Sequence, residues 1–283
     1  MNVVEDYFVR RGIAVTISRE GTVTPTGSES VYGLQNLLQN CAWADARDLS
    51  EMRGRVADHF DTMTRAQDQN RKFTEQLESW EFAKPRLRVR LWDVEVGSFL
   101  TNSVTRSDIP GLATTLSVDL PESIDSVSPE RAAKWHRTDS ELFEIALENT
   151  MKSFAAEATT IDSSRFGPAQ VVQADSFYSA GAALELEKYP ALLGPHGAFV
   201  TIPTRAQVFA LPLETAGDLA FVGEFIRFAC WCFQQGPGSV SKRLWWYRDG
   251  RWFEIAYKVE GTHTAIMPPE ELQKYMMEVG WAQ

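Results

Sequence analysis

Residues 225–259, FIRFACWCFQQGPGSVSKRLWWYRDGRWFEIAYKV, hold two cysteines one residue apart and four tryptophans. Such a run could serve as a metal site, a redox pair, a binding surface or core. Cys230 and Cys232 sit in a stretch expected to be helical, where residues two apart do not face each other. A disulfide between them would be strained, because its geometry is narrow. A structural zinc site needs four ligands in paired spacings. The other cysteine is Cys41, and His59, His136, His196 and His263 stand alone, with no HxxxH and no CxxC. No metal and no cofactor is expected, and both thiols read as buried structural groups.

The tryptophans read differently. Asp249-Gly250 is a two-residue hairpin turn, and it fixes the register of its flanking strands. Tyr247 is then opposite Trp252, Trp246 opposite Phe253, Trp245 opposite Glu254 and Leu244 opposite Ile255. Leu244, Trp246, Phe253 and Ile255 form a core face. Trp245, Tyr247, Trp252 and Glu254 form the other face, with two readings. It is covered by helices, or it is an exposed aromatic patch flanked by Arg243, Arg248 and Arg251. Aromatic and arginine residues are enriched at protein interfaces, so the second reading makes it a docking face.

Other stretches carry weaker signals. GPGSVSK (236–242) lacks the closing Gly-Lys-Ser/Thr of a phosphate loop and does not lead from strand to helix. GxSxG, HExxH and a complete GxGxxG are missing, which lowers the odds of the commonest hydrolase, metalloprotease and dinucleotide classes. ADSFYS (174–179) follows a strand and opens a helix. Asp175 and Ser176 either cap that helix or mark a site where free backbone N–H groups meet a ligand. Arg205, at a hairpin turn, is either solvated or a clamp for carboxylate or phosphate. Arg86, Arg88 and Arg90 form either a wet strand face that discourages edge pairing or an anion site. His136, at a helix junction, reads as packed rather than catalytic.

Composition bounds these readings. The 283 residues carry a net charge of -10 with 44% hydrophobic and 23% charged residues, the profile of a globular protein with a sizeable core. The acidity argues against nucleic acid and anionic lipid as partners. Three cysteines do not make a secreted disulfide framework. MNVVEDYFVRRG has acids where a signal peptide has a basic start, and LAFVGEFIRFACWCF is too short and too charged to span a membrane. A cytoplasmic location is expected.

Up to residue 83 the chain reads as mostly helical. Ile13, Val15 and Ile17 alternate as in a short strand, REGTVTPTGSES (19–30) is a loop, and RAQDQNRK (65–72) is a polar connection. After Pro85, RLRVRLWDVEV alternates as a half-buried strand, and LATTLSVDLP is a second strand. Ser128 caps one helix, with Pro129 at its first position, and Thr138 to Glu141 is a capping box opening the next. AFVTIPTRAQVFALPLE is a hairpin, a long apolar helix runs over about 217–235, and Pro268-Pro269 open a last helix. The pattern predicts an α+β fold with a mixed or antiparallel sheet of hairpins and packed helices. The expected division is a mostly helical region 1–83 and an α+β domain 84–283, or one continuous domain.

Several ordered patterns give the chain a resemblance. GLQNLLQNCA, VADHFDTM, LATTLSVDLPESI, WHRTDSELFEIALENTMKSF, DSFYSAGAALELEKY, GAFVTIPTRAQVFALPLE and GPGSVSKRLWWYRDGRWFEI together resemble the bacterial YtpQ-like family of unknown function and its actinobacterial relatives. The resemblance implies a cytoplasmic α+β protein and supplies no activity, cofactor or site residue. RAQDQNRKFTEQLESWEF and RFACWCF depart from the family's pattern.

Two expectations of function follow. The first is a non-catalytic protein-interaction or binding module using Trp245, Tyr247 and Trp252. The second is an enzyme or small-anion binder, with a cleft where Asp175, Ser176 and Arg205 meet the Arg86/Arg88/Arg90 face. A third, weaker, is a structural accessory of a larger bacterial assembly.

Overall fold

The computed structural model describes residues 3–18, 21–27, 31–42, 48–96, 98–121, 123–161, 164–261 and 263–281. The chain divides into two compact units. The smaller takes in Met1–Thr74 with the short segments Pro121–Ser123 and Gln234–Gly238, and the larger takes in the rest.

In the smaller unit, α1 (Val3–Val9) precedes a three-stranded sheet of β1 (Val15–Ile17), β2 (Thr22–Pro25) and β3 (Tyr32–Gly33). Helices α2 (Gln35–Cys41) and α3 (Leu49–Phe73) follow. Tyr7, Phe8, Val23, Leu37, Val56 and Phe60 pack together as its core. Two expectations are corrected here. Part of the turn-rich stretch 19–30 is strand β2, paired along β1 from Val15–Pro25 to Ile17–Val23. Its residues 19–20 and 28–30 lie outside the described residues. The polar run 65–72 is no connection either, because α3 continues through it to Phe73. Lys, Arg and Gln are good helix formers, so polarity there marks a helix rather than a break.

The larger unit begins at Glu75, so residues 75–83 group with it. Helix α4 (Trp80–Ala83) and the turn before it are tied to later sequence: Trp135 Nε1 donates to the Leu77 carbonyl across 3.1 Å. Strands β4 (Leu87–Asp93), β5 (Thr105–Arg106), β6 (Leu112–Leu120) and β7 (Ser123–Ser126) make an antiparallel sheet in which β4, β5 and β7 all neighbour β6. Helices α5 (Pro129–Lys134) and α6 (Asp139–Lys152) follow, capped by Ser128 and by the Thr138–Glu141 box as the sequence predicts.

The remaining strands are β8 (Ala158–Thr160), β9 (Gln170–Gln173), β10 (Ala198–Thr204), β11 (Gln207–Pro212), β12 (Leu244–Arg248), β13 (Arg251–Glu260) and β14 (His263–Met267). They form a seven-stranded sheet in the order β14-β13-β12-β10-β11-β9-β8. Helices α7 (Val222–Gln235) and α8 (Glu270–Glu278) complete the unit. The helix expected to open at ADSFYS is instead a 3-10 stretch, Ser179–Lys188, irregular at Glu185. The α+β class holds, while the region before residue 83 contains strands as well as helices.

The centre of the seven-stranded sheet, strands β10 to β12, is buried on both faces. Phe199, Phe209, Leu244, Trp246 and Ile255 meet α7 and α8 on one side. Ala198, Val200, Ile202, Trp245 and Tyr247 meet Ala180, Ala182, Ala183 and Leu186 on the other. Every residue of β10 is buried, which explains its nearly continuous apolar text. Among the described residues no helix is long and apolar enough to cross a membrane.

Candidate functional site: a cluster of uncompensated arginines

The hairpin β12–β13 has the register its turn demands, with Tyr247 opposite Trp252 and Leu244 opposite Ile255. Its second aromatic face is covered. Trp245 is 0% exposed and Tyr247 7%. Trp245 Nε1 donates to the Pro110 carbonyl across 2.9 Å, and the Tyr247 hydroxyl to Glu187 Oε1 across 3.1 Å. The half-buried Trp252 packs on both, with ring centroids 6.1 and 4.8 Å away. The exposed aromatic docking face is therefore corrected: residues 180–186 and the Ile109–Leu112 segment cover it. What surface is left to Tyr247 and Trp252 lines a cavity of about 330 Å³ beside Arg106, Asp108 and Glu187.

The flanking arginines are also engaged. Arg243 meets Asp93 and Glu95, each at 2.9 Å, and Glu254 at 2.5 Å. Its guanidinium crosses Gly111, where a Cβ would come within 2.7 Å of it and φ is +77°. Arg248 lies 3.8 Å over the Tyr275 ring and pairs with Asp249. Arg251 is exposed, 4.9 Å over the Phe253 ring. Cys232 is buried, and burial pushes its thiol up to about 11. Cys230 lies 3.3 Å from the Tyr257 hydroxyl.

A different set of side chains comes together on the smaller sheet of the larger unit. Strand β4 alternates strictly, with Leu87, Val89 and Leu91 buried and Arg88, Arg90 and Trp92 half-buried. Its antiparallel pairing sets Arg88 opposite Ser117 and Arg90 opposite Thr115 on β6. Side chains two apart on a strand share a face, so Arg88, Arg90, Trp92, Thr115, Ser117 and Asp119 share one polar face. Trp92 Nε1 donates to Thr115 Oγ1 across 3.2 Å.

The loop after β9 packs against this face. The Tyr178 hydroxyl donates to Asp119 Oδ1 across 2.8 Å, and Arg88 lies 5.9 Å over the Tyr178 ring. The Ser176 hydroxyl accepts from the Tyr178 N–H, a local turn bond rather than a helix cap, since the following 3-10 stretch has no side-chain cap. Two backbone bonds stitch the loop to the β10–β11 turn: Ala180 N–H to the Arg205 carbonyl and Ala174 N–H to the Ala206 carbonyl. Arg205 stacks on Phe177, 3.9 Å from its ring centroid. The loop, the turn and two of the three β4 arginines thus converge. Asp175 is exposed at the rim, with no hydrogen bond or ion pair among the described residues. Arg86 is elsewhere: it precedes the strand, donates to the Phe82 carbonyl and stacks on the Phe82 ring. The β4 arginines are not a wet strand face, because the loop covers them and leaves Arg88 14% exposed.

The charges on this face do not balance. Asp119 accepts from Tyr178 and lies 3.7 Å from Arg88. Among the described residues, Arg90 and Arg205 have neither a hydrogen-bond acceptor nor an ion-pair partner for their guanidiniums. Three guanidiniums against one carboxylate leave two positive charges over. Burial lowers Arg90 to about 10, the neighbouring Tyr178 raises it, and the charge of Arg205 lowers it again. Burial also lowers Arg205. The Tyr178 hydroxyl is raised, first by burial and then by its bond to Asp119, so it stays protonated as a donor. Two polar atoms on the face are buried without partners, Arg88 Nε and Ser117 Oγ. An uncompensated charge taken from water costs on the order of several kcal/mol, and a buried polar atom left without a partner costs about 1–3 kcal/mol.

Phe177, Tyr178, Thr115, Ser117 and Asp119 are participants that the sequence reading passes over. The readable signal is LATTLSVDLP, where Thr115, Ser117 and Asp119 alternate with Leu116, Val118 and Leu120. No protein-family model, no curated protein and no solved structure matches this chain.

Proposed function

We propose that this chain is a cytoplasmic binding protein for a small anion, seated between Arg90 and Arg205 beside Tyr178. One observation carries the reading: Arg90, against Trp92, and Arg205, against Phe177, are half-buried beside the same loop, and neither has a counter-charge among the described residues. Guanidinium forks make strong charge-assisted bonds to carboxylate and phosphate oxygens. Their guanidinium carbons lie 4.3 and 3.9 Å from the ring centroids of Trp92 and Phe177, and no protein oxygen among the described residues accepts from their N–H groups, which leaves those donors for a ligand. The overall acidity of the chain favours a small anion over a nucleic acid. No catalytic step is assigned.

Thermal melting of the full chain in rising inorganic phosphate or sulfate, against potassium chloride at matched ionic strength, tests the reading. A ligand that binds only the folded state raises the melting temperature with concentration. The expected result is such a rise in wild type and none in an Arg90→Met/Arg205→Met double variant. A rise that survives in the double variant, or no rise with either anion, sinks it.

A further inference from the structure

The geometry points to a phosphomonoester bearing a planar ring, its phosphate between Arg90 and Arg205 and its ring on Phe177; we propose this as the ligand class, resting on the anion-binding reading above. The first step is charge. Two guanidiniums are unneutralised, so a monoanion leaves one of them bare, whereas a phosphomonoester carries close to two negative charges at neutral pH. The second step is compactness. Arg90 shares its strand face with Asp119, which accepts from the Tyr178 hydroxyl at 2.8 Å, and Arg205 lies 3.9 Å from the ring centroid of Phe177, the neighbour of Tyr178. Both cations therefore border the same loop, and one dianion bridging them suits that placement better than two separated carboxylates. The third step is the number of oxygens. Two guanidinium edges, each a fork of two parallel donors, supply four donors from two directions, and the three tetrahedrally arranged terminal oxygens of a phosphomonoester can accept from both forks together.

The ring follows from Phe177. It is a large apolar side chain 50% exposed, in a loop otherwise anchored by Tyr178, Ser179 and Ala180, which are all buried. Arg205 lies against the ring and holds it at the edge of the cationic cluster. The remaining open surface of an immobilised aromatic ring is a platform for another flat group, in offset or edge-to-face contact.

Calorimetric titration of the full chain with methyl phosphate, phenyl phosphate and phenyl sulfate separates these steps. Phenyl phosphate should bind roughly tenfold tighter than methyl phosphate. Phe177→Ala, checked as folded by circular dichroism, should erase that difference while keeping the methyl phosphate affinity. Phenyl sulfate, a monoanion with the same ring, should bind at least tenfold more weakly than phenyl phosphate. Equal affinity for the methyl and phenyl esters, or a preference that persists in Phe177→Ala, overturns the ring. Phenyl sulfate binding as tightly as phenyl phosphate overturns the dianion. Either of those results leaves the anion-binding reading standing, whereas no binding of any of the three, together with no phosphate-dependent melting shift, overturns both.

Discussion

Tyr178 donates its hydroxyl to Asp119 Oδ1 across 2.8 Å, and this bond ties the carboxylate of the polar face to the loop that covers it. Asp119 is the acidic residue of that face, and it is shared between Tyr178 and Arg88. A loop residue thus occupies a carboxylate that would otherwise be free to turn toward Arg90 and Arg205. The arginines remain available to something from outside because an internal neutralising group is already held.

Replacing Tyr178 by Phe should release Asp119. The freed carboxylate would compete with an external anion for the guanidiniums, so phosphate affinity should fall several-fold. Folding should lose about 1 kcal/mol, the net value of one hydrogen bond. Calorimetry and urea unfolding measure the two effects separately. Tighter phosphate binding in the variant would show that Asp119 does not compete.

Arg90→Met should behave oppositely in stability and in binding. Methionine keeps apolar contact with Trp92 and removes a half-buried charge that has no partner. The ligand-free variant should be at least as stable as wild type, by about 1 kcal/mol or more, because removing an uncompensated charge relieves desolvation. The anion-dependent rise in melting temperature should vanish. A variant destabilised by several kcal/mol without ligand would identify Arg90 as a structural residue instead.

The elements were more legible than the site, for physical reasons visible in particular residues. Asp249-Gly250 dictates a two-residue turn, so the pairing of Tyr247 with Trp252 follows from the text alone. Thr138 and Glu141 announce their helix in the same local way. Strand alternation separates the two faces of a hairpin but does not say what covers either, and the cover over Trp245 comes from residues more than fifty positions earlier. Polarity misleads in α3, where a run of charged and amide residues continues the helix to Phe73. The arginine cluster was half legible. Arg88, Arg90 and Arg205 stand out as cations in strand and turn contexts. Their lack of partners depends on Asp119 being held by Tyr178, a contact between residues 59 positions apart. Arg86 belongs to the same alternation in the sequence yet leaves the face, because Pro85 starts a tight turn that ends just before the strand.

Trp245→Ala should unfold or severely destabilise the larger unit rather than affect any surface. The side chain is fully buried, and its indole N–H is matched by the Pro110 carbonyl. Truncation of such a residue costs about 3–5 kcal/mol. Chemical denaturation of the variant checks this. A stable variant with native circular dichroism would mean that the cover over this face is loosely held.

Asp93 should dominate a distinct part of the acid sensitivity of the fold. It is 12% exposed, and it accepts from Arg243 and from the Ser241 hydroxyl at 2.6 Å. Burial pushes its carboxyl up, but these hydrogen bonds and the Arg243 charge outweigh burial and hold it below its ordinary value. A carboxyl lowered on folding contributes stability that is present above its unfolded value, about 3.9, and is lost as pH falls through the lower folded value. Arg243 keeps its proton throughout, being raised by the same partners. Asp93→Asn removes the titrating group but leaves Arg243 with only Glu95 and Glu254, and Glu95 is 81% exposed. The variant should lose about 1.5–3 kcal/mol at pH 7, the value of hydrogen bonds to a charged group, because Arg243 keeps its other two carboxylates. Its stability should then fall less steeply than that of wild type below pH 4. Urea unfolding of both proteins from pH 7 down to pH 2.5 measures the two curves, which should converge toward the acid end. Parallel curves would show that Asp93 titrates alike in the folded and unfolded chains, and that the Arg243 pairing contributes nothing to the acid response.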